Sequence, residues 1–113
     1  MSIPEADRKR VLETVEGMRD EILGFVKTLI RFRTPNPPGG NTSEAQSWMA
    51  DRLREMGFEV EVFEVFPEDP DVVGVLKGAG GGRSIILNGH MDVAEVREDE
   101  PWKHDPFEPV LED

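Results

Sequence analysis

Apolar side chains recur every three or four residues along the first part of the chain, from about Pro4 to Phe32. The repeat consists of Val11, Val15, Met18, Ile22, Phe25 or Val26, and Leu29. This spacing is typical of one face of an amphipathic helix. Gly17 and Gly24 lower the helical preference, so the pattern predicts a long helix that is bent or begins late. We expect its apolar face to pack against a sheet.

A second helix is predicted after residues 34–41, a loop with three prolines and two glycines. Proline and glycine at this density exclude a helix or a central strand. Ser43 and Gln46 have the spacing of a capping box, and Gly57 stands where a C-terminal cap is expected. The inner face of this helix is predicted to contain Ala45, Trp48 or Met49, Arg52 or Leu53, and Met56.

Two strands follow the second helix. Apolar and polar residues alternate from Phe58 to Phe66, and the apolar face changes at Phe63 and Val65, which a bulge or burial of both faces would explain. After a turn at 67–71, residues 72–77 predict a second strand, antiparallel because the connection is short. The glycine cluster at 78–82 is interpreted as a turn. It is not a phosphate-binding loop, because it lacks the Lys-Ser/Thr ending and no helix follows.

The apolar run Ile85–Leu87, preceded by Ser84, predicts a third strand that is buried on both faces. The elements together predict an α/β fold with two helices and about three strands. Ligands in open α/β sheets bind just beyond the carboxyl ends of the strands. The residues that follow Leu87 are therefore where we expect a functional site.

His90 and Asp92 follow this predicted strand with one residue between them. In an extended chain their side chains point to the same side. The carboxylate can then bind the imidazole nitrogen that faces away from a metal ion, which fixes the tautomer of the ligating nitrogen. The pattern fits a metal ligand with its orienting aspartate. On spacing alone, a hydrogen-bonded pair without a metal is favoured, because His-x-Asp also occurs often by chance.

Composition narrows the classes of function. The 113 residues suit one domain, and the chain has no cysteine for a disulfide or a thiolate site. The formal net charge is −11, with two basic and nine acidic residues in 91–113, which disfavours nucleic acid as a partner. No apolar run is long enough for a membrane span, and the first residues lack a signal-peptide pattern. We therefore expect a cytoplasmic protein without a membrane partner.

The second histidine, His104, is adjacent to Asp105. Adjacent side chains diverge, so this pair is a poor metal site. We predict that His104 lies on the surface.

The order of these elements resembles the amino-terminal part of the M20 metallopeptidase and deacylase family, which includes acetylornithine deacetylases and succinyl-diaminopimelate desuccinylases. The resemblance rests on the Asn-Pro-Pro-Gly-Gly-Asn loop, the Ile-Leu-Asn-Gly-His-Met-Asp-Val segment that ends at Val93, and Trp102 with the following Asp-Pro-Phe. It covers essentially all of residues 1–113. It implies a partial three-layer α/β/α catalytic domain of an aminopeptidase-like hydrolase, with a lid or dimerisation domain elsewhere in the parent enzyme.

The resemblance also implies a chemistry. Family members cleave the amide of an N-acyl amino acid or a peptide with two zinc or cobalt ions. His90 matches a metal ligand of the family, and Asp92 matches the catalytic-site aspartate that orients it. The sequence departs from the family at Ala94 and Glu95, where Val-Pro is usual, which makes the path of this loop uncertain. The family's bridging aspartate, adjacent glutamates and last histidine have no match, and Asp113 falls where its Gly-Arg-Gly stretch should begin.

Three hypotheses follow from the sequence. The first is a truncated amino-terminal fragment of an M20-type deacylase, inactive alone because most of the catalytic site is missing. The second is a non-enzymatic α/β module that binds a partner chain, and the third is a complete small metal-binding protein. Under the first hypothesis the bare sheet is expected to drive self-association or homodimer formation.

Overall fold

A computed structural model describes residues 3–112 of the chain. Asp113, which the sequence places at the start of the family's next motif, lies outside the described residues. The described elements are α1 (Glu5–Gly17), α2 (Arg19–Arg31), α3 (Ser43–Glu55), β1 (Glu59–Phe66) and β2 (Asp69–Val75). The predicted small α/β arrangement is confirmed. The described residues divide into two compact units, the first formed by residues 3–31 and 104–112 and the second by residues 32–103.

Helices α1 and α2, in the first unit, occupy the segment for which one long helix was predicted. Met18 lies between them with φ −91° and ψ 6°. The break follows Gly17, whose low helical preference indicated a bend. No residue of either helix is buried, and Val11 and Val15 are more than half exposed. The predicted burial of the apolar stripe is therefore wrong for the residues described.

Strands β1 and β2 form an antiparallel hairpin in the second unit, as the short connection predicted. The register shifts between Glu64 and Phe66, which leaves Val65 as the extra residue of a bulge. A bulge was one of the two predicted explanations for the change of apolar face, but the change begins at Phe63, where the register is still regular, so the bulge does not explain it fully.

Helix α3 packs on this hairpin through small side chains. Ala45 and Ala50 are almost completely buried, and a Cβ atom at Gly74 would lie only 3.1 Å from the Leu53 side chain. The helix therefore approaches β2 closely where the strand has no side chain. Met56, predicted for the inner face, is more than half exposed because it is the C-cap residue, where the chain leaves the helix.

The C-terminal cap of α3 is the predicted one. Gly57 has φ 89°, a left-handed conformation that glycine adopts without a Cβ penalty. Its N–H donates to the carbonyl of Arg54 at 2.9 Å, and the N–H of Phe58 donates to the carbonyl of Leu53 at 3.0 Å. This pair of hydrogen bonds is a Schellman motif.

The predicted capping box at the start of α3 is wrong. The N-cap residue is Thr42, and Ser43 is already helical. The Ser43 hydroxyl donates to the carbonyl of Glu68 at 3.1 Å, because the hairpin turn lies beside the helix start and offers an acceptor. The first turn of α3 is thus attached to the β1–β2 connection.

The predicted third strand is absent from residues 3–112. Ile85, Ile86 and Leu87 belong to no helix or strand and are 81%, 90% and 87% exposed. A strand needs a neighbour for its backbone groups, and β2 pairs only with β1. The remaining strand-like pairing among the described residues is a parallel bridge between Pro35 and Val93. None of the helices in residues 3–112 has the length and apolar character that a membrane crossing requires.

Candidate active site

His90 and Asp92 lie side by side, as their spacing predicted. The His90 Nδ1 atom is 3.0 Å from Oδ1 of Asp92 and 2.7 Å from the backbone oxygen of the same residue. Both neighbours of Nδ1 are acceptors when the carboxylate is ionised, so the Nδ1 atom of the neutral ring carries the proton and donates. The lone pair of the ring is then on Nε2, and the side chain is 83% exposed.

The second carboxylate oxygen of Asp92 also has a partner. The side-chain amide of Asn36 donates to Oδ2 of Asp92 at 3.0 Å. This hydrogen bond is the main reason why the pKa of Asp92 lies below its ordinary value, and the interaction with His90 lowers the pKa further. Desolvation acts in the opposite direction and does not outweigh them. Asp92 is therefore a carboxylate at neutral pH.

Backbone hydrogen bonds hold the two segments of the site together. The N–H of Asn36 donates to the carbonyl of Val93 at 2.8 Å, and the N–H of Val93 donates to the carbonyl of Thr34 at 2.9 Å. The buried Thr34 hydroxyl donates to the carbonyl of Met91 at 2.8 Å. The loop at 34–41 is thus joined to the His90–Asp92 segment by three bonds.

An open cleft of about 330 Å³ lies beside the pair, within the second unit. The cleft is formed by the loop, the start of α3, the hairpin turn and the His90–Asp92 segment. Its lining residues are Asn36, Gly39, Thr42, Gln46, Val65, Phe66, Asp69, Pro70, Asp71, Gly89, His90, Met91 and Asp92. Three carboxylates and one imidazole therefore face one space.

Asp69 fixes the shape of the loop on the opposite side of this cleft. Its carboxylate accepts hydrogen bonds from the backbone N–H groups of Gly40, Asn41 and Thr42 at 2.7, 3.1 and 3.3 Å, and from the Thr42 hydroxyl at 2.9 Å. The bond from Gly40, then that from the Thr42 hydroxyl, hold the pKa of Asp69 below its ordinary value. One carboxylate thus connects the glycine end of the loop to β2.

Replacing Asp69 with asparagine is expected to loosen this loop. An amide NH₂ cannot accept from the N–H groups that now face the carboxylate, so we expect Gly40 to lose roughly tenfold of its protection against amide exchange, as for one hydrogen bond to a charged group. Protonation should act in the same direction. Because the folded-state pKa is lowered, the protection is present above the ordinary aspartate pKa of about 3.9 and is lost as pH falls through the lower folded value.

Asp71→Asn is the matched control, because Asp71 lies on the same strand and lines the same cleft. Protection factors of Gly40 measured against pH should be unchanged by Asp71→Asn and should lose their acid-induced fall in Asp69→Asn. Equal protection of Gly40 in the wild type and Asp69→Asn would contradict the assigned role of this carboxylate.

One residue of the cleft, His90, has a donor atom suited to a metal ion. Within residues 3–112, no three histidine, cysteine, aspartate or glutamate side chains lie close enough together to hold a metal ion. The exposed Nε2 of His90 is an imidazole donor of the kind that zinc and cobalt bind. A hydrolytic zinc site typically has three protein ligands, and His90 would supply one of them.

The sequence-based prediction for His104 was right, whereas the roles of Asn36 and Asp69 were missed. His104 is on the surface as predicted, and its Nε2 atom lies 2.8 Å from Glu112. Asn36 and Asp69 were interpreted only as parts of a loop and a turn. The signals of a further role were weak. Asn36 is a polar residue between two prolines, and Asp69 precedes a proline at the start of β2.

Comparison with known proteins then identifies the relatives of this chain. It is 52% identical over 98 residues to N-formyl-4-amino-5-aminomethyl-2-methylpyrimidine deformylase of Bacillus subtilis, and 44% identical over 105 residues to the deformylase of the same name from Halalkalibacterium halodurans. It is 38% identical over 88 residues to a succinyl-diaminopimelate desuccinylase of Methylorubrum extorquens. The chain is a homologue of the M20-type deacylases. The resemblance stated from the sequence is thereby confirmed.

The matches cover most of this chain but only a small part of each relative. They include 85%, 91% and 75% of this chain, and 23%, 25% and 22% of the three relatives. The chain therefore spans about a quarter of the length of the curated relatives that it matches. No protein-family model matches the chain, and no solved structure matches it with statistical significance.

Proposed function

We propose that this chain forms the His90–Asp92 part of a two-metal hydrolase that cleaves the amide bond of an N-acyl substrate. The observation that carries the proposal is the arrangement of the pair, in which Asp92 accepts from Nδ1 and leaves Nε2 of His90 exposed toward solvent. An aspartate in this position orients a ligating histidine and raises the basicity of its free nitrogen. The similarity to two deformylases and a desuccinylase supports hydrolysis of an amide.

In this proposal His90 is a metal ligand and Asp92 its orienting residue in the catalytic site. A bound zinc or cobalt ion would lower the pKa of its water to near neutral and would polarise the substrate carbonyl. The residues of this chain bind and orient, since Asp92 keeps the proton on Nδ1 and the loop at 34–41 forms one wall of the cleft. The general base and the other ligands come from residues outside the described part, so the 113-residue chain alone is inactive.

An N-formyl amide is the substrate to test first. The two relatives with the higher identity are named for removal of a formyl group from an aminomethylpyrimidine, while the desuccinylase is less similar. A formyl group has no carbon beyond its carbonyl, so it needs less space in the cleft than an acetyl or succinyl group. N-acetyl and N-succinyl amino acids are the comparison substrates.

A chimera tests the proposal directly. The matching segment of the Bacillus subtilis deformylase is replaced by this chain, which is 52% identical to it over 98 residues. We expect the chimera to release formate from the N-formylated pyrimidine, and the isolated chain to release none. A chimera that folds and binds metal at His90 but has no turnover with any of the N-acyl substrates would contradict the proposal. It would favour a module that binds a partner without catalysis.

A further inference from the structure

Asn36 is placed to control the pair through Asp92. The aspartate has two carboxylate oxygens, and the structure engages them separately, with Oδ1 at the His90 ring and Oδ2 at the Asn36 amide, both at 3.0 Å. A carboxylate held at one oxygen can rotate about its Cβ–Cγ bond. Holding both oxygens fixes the plane of the group, and with it the carboxylate acceptor at Nδ1 of His90, which lies beside the backbone oxygen of Asp92 at 2.7 Å.

The backbone of Asn36 is already fixed relative to Asp92. Its N–H donates to the carbonyl of Val93, the residue after Asp92, and the N–H of Val93 donates to the carbonyl of Thr34. These two bonds form the bridge between Pro35 and Val93. The amide therefore needs only its own side-chain rotamer to reach Oδ2. Little conformational entropy is lost in forming that bond, because the backbone is ordered without it.

We propose that Asn36 is a positioning residue, which holds Asp92 in the orientation that keeps His90 in its Nδ1–H tautomer with Nε2 available to a metal. The inference deepens the proposed function and rests on it for the role of Nε2. The tautomer itself is a property of this chain and is measurable without a metal. The Asn36 amide donates to Oδ2 of Asp92, so its proposed action on His90 runs through the carboxylate.

The chain contains two histidines, which makes the ring spectrum simple. Long-range ¹H–¹⁵N spectra of dilute, labelled, metal-free protein near pH 8 report which ring nitrogen carries the proton. We expect His90 of the wild type to be mainly the Nδ1–H form. In Asn36→Ala and in the near-isosteric Asn36→Leu, we expect the ratio of Nδ1–H to Nε2–H to fall measurably, by at most about tenfold, the size of one hydrogen bond to a charged group. The limit is set by the backbone oxygen of Asp92, which still accepts from Nδ1.

Two controls separate positioning from loop stability. Thr34→Val removes the hydroxyl bond to the Met91 carbonyl without touching the carboxylate of Asp92, and should leave the His90 tautomer unchanged. His104, whose ring pairs with Glu112, is an internal reference that no variant should alter.

Several results would overturn the inference. They are a wild-type His90 that is mainly Nε2–H, an unchanged tautomer in both Asn36 variants, or an equal shift in Thr34→Val. Because the readout is the metal-free ring, an inactive chimera would refute the proposed function and leave this result standing. An unchanged tautomer in an otherwise active chimera would refute the role of Asn36 alone.

Discussion

His90→Ala is expected to reduce turnover of the deformylase chimera by more than about a hundredfold, beyond the 10- to 100-fold range typical of losing an outer partner of a metal ligand. The physical reason is that alanine removes the ligating nitrogen itself. Metal content should fall together with turnover, and elemental analysis of the purified chimera measures it. The imidazole is 83% exposed and its ring nitrogen pairs with Asp92, so we expect the fold to survive the substitution.

His104→Ala is the matched control, because it removes the only other imidazole of the chain and lies on the surface. It should leave turnover and metal content unchanged. Wild-type kinetics and full metal content in His90→Ala, or an equal loss in both variants, would refute the assignment of His90 as a ligand.

Asp92→Asn is expected to have a smaller effect of a different kind. The asparagine keeps the shape of the side chain and can still accept from Nδ1, but it loses the charge that raises the basicity of the imidazole. We expect turnover to fall by about 10- to 100-fold while the metal ions remain bound at saturating zinc. Turnover measured against zinc concentration distinguishes the two variants, and unchanged kinetics in Asp92→Asn would contradict its orienting role.

Local signals predicted the second unit well. Gly57 ends α3 because only a residue without a Cβ adopts its left-handed conformation easily, and this can be read from the sequence after a helical pattern. A bulge in β1 was expected from the change of apolar phase, and it lies two residues after the point where that change begins. The His90–Asp92 contact followed from the two-residue spacing of an extended chain, which needs no knowledge of the remaining fold.

Features that depend on distant partners were not predicted. The capping box was wrong because Ser43 finds the Glu68 carbonyl, which is 25 residues away in sequence. The prediction of a third strand at Ser84–Leu87 was wrong. An apolar run indicates that its residues can be buried, whereas a strand also needs a neighbouring strand to pair with. Asn36 was missed for the same reason, since its partner Asp92 is 56 residues away and a polar loop residue carries no mark of that contact.

The exposed run Ile85–Leu87 leads to the last prediction, which is that the 113-residue chain made alone self-associates. The three side chains are more than four-fifths exposed and their backbone belongs to no strand, and an unpaired apolar run can pair with another chain. The net charge of −11 does not protect this segment, because residues 76–91 contain Lys77 and Arg83 and no acidic residue. A second copy is therefore the expected partner, with its acidic regions attracted to the two basic residues.

Sedimentation velocity over a range of protein concentrations measures this association. Ile86→Lys places a charge in the centre of the run and should restore the monomer. Val11→Lys is the matched control, since it makes the same change at an exposed apolar position of α1 and should leave the association unchanged. A wild-type chain that stays monomeric at every concentration, or an equal effect of the two lysines, would show that the Ile85–Leu87 run is not the contact between copies.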